Sequence, residues 1–84
     1  MRAIVLQGRL SQGEPVSEPE ARALLQGARE VVAMDEGAAE FAALLTGLGV
    51  RLDPRVPFNP GDVLIVVGHT GVEKVVVPEG LTLG

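Results

Sequence analysis

The sequence predicts a small α/β fold of the α+β type: a mixed β-sheet of about five strands with two helices on one face, in the order β-α-β-α-β-β-β. Three observations carry that expectation. Apolar runs of strand length at residues 3–6, 31–34 and 63–67 are separated by two segments with apolar residues at helical spacing. Gly and Pro clusters punctuate the boundaries. The 84 residues form one domain, residues 1–84, with no repeat and no low-complexity linker.

Ala3-Ile4-Val5-Leu6 reads as the first strand. Gly8 and Ser11-Gln12-Gly13-Glu14-Pro15 then interrupt regular structure. Ser17-Glu18-Pro19-Glu20 is a helix start: Ser17 can accept from the amide three residues on, and proline is tolerated in the first turn. Ala21, Leu24, Leu25 and Ala28 follow at helical spacing, with Gly27 near the end. Residues 30–34 read as a second strand buried on both faces. Asp35 and Glu36 open the second helix, where acidic side chains suit capping and the helix dipole. Its apolar stripe is Ala38, Phe41, Ala42, Leu45 and Leu48, and Thr46-Gly47-Leu48-Gly49 ends it.

Val50-Arg51-Leu52 is a short extended piece. Residues 53–58 are extended but broken by prolines, as in a loop or an edge strand. Asn59-Pro60-Gly61-Asp62 is a turn with Pro and Gly at its centre. Residues 63–67 form the strongest strand, Gly68-His69-Thr70-Gly71 a second turn, and residues 73–77 the last strand. The tail from Pro78 to Gly84 is expected to be loosely ordered.

Composition narrows the chemistry. No cysteine excludes disulfides and thiolate chemistry, and one histidine, His69, excludes a His-rich zinc site within one chain. A net charge of −4 argues against general DNA binding, which depends on a basic surface. It leaves room for one small anion held by local arginines. No run reaches membrane-span length and no signal-peptide pattern opens the chain, so a cytoplasmic protein without cofactor or metal is expected. Six of the seven basic residues are Arg, in keeping with a GC-rich genome and a hot habitat. A core of Ala, Val and Leu with only two aromatics, and a second sheet face in need of cover, predict a homodimer.

Asp35-Glu36 at a strand-to-helix junction sits where ligand sites often form, and capping alone also explains it. Glu36 and Glu40 share a helix face and can hold a cation or simply be solvated. His69 can act near neutral pH or be a turn residue. Arg9, Arg51 and Arg55 fall in loops suited to gripping phosphate, or to solubility and rim ion pairs. No P-loop, GxGxxG, GxSxG or HExxH pattern is present.

The runs EARALLQGAREVVAMDEGAAEFAALLTGLGV, NPGDVLIVV and VPEGLTL resemble a family of small viral and bacterial proteins that includes the viral ring nucleases, the anti-CRISPR proteins of type III systems. The resemblance spans roughly residues 17–83. It implies a dimer that binds cyclic tetra-adenylate across its interface and cleaves it without metal. Pro60-Gly61-Asp62 matches the family's turn, and Pro78-Glu79-Gly80 places Glu79 on the site glutamate. Asp35 stands at the position of the catalytic histidine, Val76 at that of an arginine, and Gln7 or Gly8 at that of an asparagine. Only Arg55 stands in loosely for an Asn-Arg pair. The resemblance therefore implies a degenerate reaction centre at Asp35 and Glu79, with Gln7, Arg9, Arg51 and Arg55 holding a cyclic oligoadenylate or similar anion. The alternatives are a protein–protein interaction module with no nucleotide ligand, and a weak phosphodiesterase that uses Asp35 or His69.

Overall fold

The computed structural model describes residues 1–9 and 13–80. Its elements are β1 (Arg2–Gln7), β2 (Glu14–Val16), α1 (Glu18–Gly27), β3 (Glu30–Ala33), α2 (Glu36–Thr46), β4 (Arg51–Leu52), β5 (Val63–Val67) and β6 (Val72–Val76). They form a mixed sheet in the order β2-β6-β5-β1-β3-β4. β1 runs parallel to both β3 and β5, β3 runs parallel to β4, and β6 is antiparallel to β5 and β2. The α/β class is as expected. The extra strand is β2, within the stretch read from its Gly and Pro as irregular. Pro15 is accommodated because β2 is an edge strand.

Helix boundaries follow local chemistry. Ser17 caps α1 by accepting from the Glu20 amide at 3.2 Å, and Pro19 sits in the first turn. Gly47 ends α2 in the left-handed conformation. Leu48 therefore lies beyond the helix and is 70% exposed, so it does not belong to the buried stripe as expected. The turn at residues 59–62 is of type II, with Gly61 at φ +89° and the Asp62 amide donating to Asn59 O at 3.0 Å.

Strand alternation divides the core in two. Ala3, Val5, Ala33, Val63 and Ile65 face the helices and pack on Ala21 and Leu25 of α1 and Ala38, Ala42 and Leu45 of α2. Ile4, Val32 and Leu64 face the other way, against Val56, Phe58 and Val77. Both helices thus cover one face, as expected. Val56 and Phe58 of the connection between β4 and β5 pack on the second face within the same chain. Among the described residues, the exposed large apolar ones after β1 are Leu44, Leu48, Leu52 and Val76. Residues 81–83, the end of the run that resembles the ring nucleases, lie outside the described residues together with Gly84, Ser11 and Gln12.

Candidate functional site

The topology opens a crevice at one end of the sheet. From β1 the chain goes by way of β2 at the far edge and α1 to β3 and β4 on one side of β1, then returns to β5 on the other side. The helical crossovers use one sheet face and the return uses the opposite one. At such a switch point the connections diverge and leave space beyond the carboxyl ends of the neighbouring strands. Here β1 ends at Gln7 and β5 at Val67, paired directly. Beyond them opens a cleft of ≈ 620 Å³ lined by Gln7, Gly8, Arg9, His69, Thr70 and Glu73 among others. That volume suits one small organic ligand.

The cleft is held shut at its base by backbone bonds. The Gly8 amide donates to Val67 O at 3.0 Å, and the Gly68 amide donates to Gly71 O at 2.9 Å. Arg9 enters no ion pair among the described residues, so its guanidinium is available to an anion. His69 and Thr70 lie on the β5–β6 turn and are exposed.

Asp35 is the N-cap of α2 and accepts from the Ala38 amide at 2.7 Å. It also accepts from Gln7 twice: from the backbone amide at 3.1 Å and from Nε2 at 2.8 Å. Gln7 reaches it because residue 37 is glycine; a Cβ there would lie 2.0 Å from Gln7 Nε2. The hydrogen bond from the Gln7 side chain, followed by those from the α2 backbone, outweighs burial and holds the Asp35 carboxyl below its ordinary value. At neutral pH Asp35 is an ionised, fully engaged acceptor. It has no proton to give a leaving oxygen, and it fills the α2 N-terminus with the protein's own negative charge.

The structure brings Gln7, Arg9 and Asp35 to one end of the sheet. Glu79 lies at the other end: it follows Val77, whose amide donates to Asp62 O ahead of β5. Five residues of β5 separate the two ends, about 17 Å. Asp35 and Glu79 therefore do not meet within one chain. Arg51 and Arg55 lie at the β4 edge, with β3 between them and β1. Arg51 pairs with Asp53 at 3.6 Å. Among the described residues no group of three or more His, Asp or Glu side chains could hold a metal ion. The sequence left the role of Thr70 and the turn glycines unread. Their signal is the Gly-x-x-Gly spacing directly after an apolar strand, and it acquires meaning only once β5 is known to lie beside β1.

No protein-family model matches the chain, and no curated protein or solved structure is significantly similar to it. No helix among the described residues is long and apolar enough to cross a membrane.

Proposed function

We propose that this protein binds a small anionic ligand of the nucleotide class, such as part of a cyclic oligoadenylate, in the cleft beyond β1 and β5, and holds it without efficient cleavage. The observation that carries this reading is the switch-point cleft with Arg9, which has no ion pair among the described residues, on its wall. Arg9 supplies the charge, the Gln7 amide a polar contact, and His69 and Thr70 further hydrogen-bonding groups. The state of Asp35 supports binding over turnover, because an ionised cap cannot act as the general acid. Arg51, Arg55 and Glu79 stand outside this cleft and take no part in binding within one chain.

The test is a calorimetric titration with cyclic tetra-adenylate and with adenosine 5′-monophosphate, at low and at physiological salt. Micromolar binding that weakens with salt is expected, with the ligand recovered intact. Arg9→Ala should weaken binding at least about tenfold, as for loss of one charge-assisted contact, whereas Arg55→Ala should leave it unchanged. Absence of binding by the folded protein would overturn the reading and favour an interaction module.

A further inference from the structure

The two edges of the sheet, β2 and β4, differ in what they offer a further strand. Pro15 sits at the centre of β2 and has no N–H to donate. Within β4 there is no proline. The Asp53 amide donates to Ala33 O at 2.8 Å, and Arg51 lies in register with Val32. Residues 51 and 53 therefore direct their main-chain groups to β3. Leu52 between them turns its N–H and C=O to the open side, where neither has a partner among the described residues. Its side chain stands on one face, with the residue 48% exposed. Arg51 and Asp53 stand on the other face, 3.6 Å apart and both reached by solvent.

Reversed, the stretch Arg51-Leu52-Asp53 is complementary to itself. We propose that β4 pairs antiparallel with β4 of a second copy, across a two-fold axis at Leu52. In that register the two Leu52 residues exchange N–H to C=O hydrogen bonds, and their side chains meet on one face. On the other face each Arg51 stands opposite the partner's Asp53. Sliding the pairing by two residues sets Arg51 against Arg51 in one direction and Asp53 against Asp53 in the other, so charge selects the centred register. The arrangement differs from a ligand held across an interface, which the resemblance to the ring nucleases implies. Here β3 lies between β4 and β1, so each copy keeps its own cleft. The proposal stands whether or not that cleft takes a nucleotide.

Sedimentation equilibrium of the wild-type chain should show monomer and dimer in exchange, half associated between about 50 μM and 1 mM, as suits a small interface. Salt should weaken it. Arg51→Glu and Asp53→Lys each place like charges opposite one another at two points, and each should weaken self-association at least about tenfold. Mixed in equal amounts, the two variants regain opposite charges at both points and should associate about as well as the wild type. Asp53→Lys removes the acceptor of the Arg55 amide, so circular-dichroism melts confirm the fold of both variants. A cysteine cross-link gives a second readout that leaves these charges in place. The chain has no cysteine, and facing residues in such a pair lie within disulfide reach. Leu52→Cys should therefore cross-link faster under mild oxidation than Leu44→Cys, although Leu44 is the more exposed at 81%. A wild type still monomeric at about 1 mM, beyond the range for even a weak specific contact, overturns the proposal. So does a dimer that both charge variants retain, a mixture of the folded variants that fails to associate, or cross-linking that favours Leu44→Cys.

Discussion

The Arg2 guanidinium donates to Asp62 Oδ2 at 2.6 Å across sixty residues of chain, joining the start of β1 to the turn ahead of β5. The same nitrogen donates to Pro57 O at 2.6 Å, and Asp62 Oδ2 also accepts from the Asn59 amide at 2.8 Å. Both side chains are largely buried, with 14% and 8% of their surface exposed. The pair pins one end of the sheet, and its worth lies in the partners left behind when it is broken. Asp62→Ala leaves a largely buried guanidinium with only the Pro57 carbonyl and the Glu30 carboxylate, 3.9 Å away, as partners, while its Nε has none among the described residues. It should cost about 3 kcal/mol or more, and about 12 °C or more in Tm for a chain of this size. Thermal melts of Asp62→Ala, Arg2→Ala and the double variant check this. The expected coupling energy between the sites is above about 1 kcal/mol.

Acid should unfold the protein through two carboxylates. For Asp62, burial raises the pKa but is outweighed by the hydrogen bonds from Arg2 and Asn59 and the Arg2 and Arg29 charges. Asp35 is lowered as well, chiefly by Gln7. Both groups bind protons less readily folded than unfolded. Their stabilisation is fully present above the unfolded value of about 3.9 and is lost as pH falls through the lower folded values. Urea midpoints should be flat near neutrality and drop below about pH 4. Asp62→Asn should be less stable at pH 7 and show a shallower drop. An equally steep drop in Asp62→Asn and Asp35→Asn would place the acid sensitivity elsewhere.

The elements that were legible are those written in local chemistry. Ser17, Pro19 and Gly47 mark helix ends, residues 63–67 have no polar member, and Pro60-Gly61 fits only a turn with φ > 0 at its second central position. β2 was illegible because Glu14-Pro15-Val16 has poor strand propensity and is a strand only through its pairing with β6. The site divides the same way. Asp35 as a cap is readable from its place before α2. Its bond to Gln7, 28 residues away, depends on β1 lying beside β3, which no local pattern encodes. Nor does sequence place Glu79 at the far end of the sheet, since that follows from the β5–β6 hairpin reversing the chain.

Gly37 should respond to alanine in opposite directions in two backgrounds. In the wild type an added Cβ meets Gln7 Nε2, so the amide must leave Asp35. A lost hydrogen bond to a charged group costs about 1.5–3 kcal/mol at most sites, less where water replaces it as here. This should exceed the gain of about 0.5–1 kcal/mol from replacing a helical glycine with alanine. With Gln7→Ala already in place the collision is gone and only the gain remains. Gly37→Ala should therefore destabilise the wild type and stabilise Gln7→Ala by roughly 0.5–1 kcal/mol. Chemical denaturation of the four variants reads the sign change directly. The same sign in both backgrounds would show that Gln7 does not lie over Gly37.

The connection between β4 and β5 acts as an intramolecular cover. Val56, 5% exposed, packs on Ile4, Val32 and Leu64, and Phe58 joins the same cluster half-buried. Val56→Ala should cost about 1–2 kcal/mol, the penalty for two buried methyl groups and part of the space they leave. Phe58→Ala should cost about 2–3 kcal/mol, below a fully buried phenylalanine because it is partly exposed. Loosening both should uncover Ile4, Val32 and Leu64 and raise binding of a hydrophobic dye under native conditions. Because the cover belongs to the same chain, the loss in Tm should be independent of protein concentration between about 5 and 200 μM. A concentration-dependent loss would mean that a second copy seals this face as well.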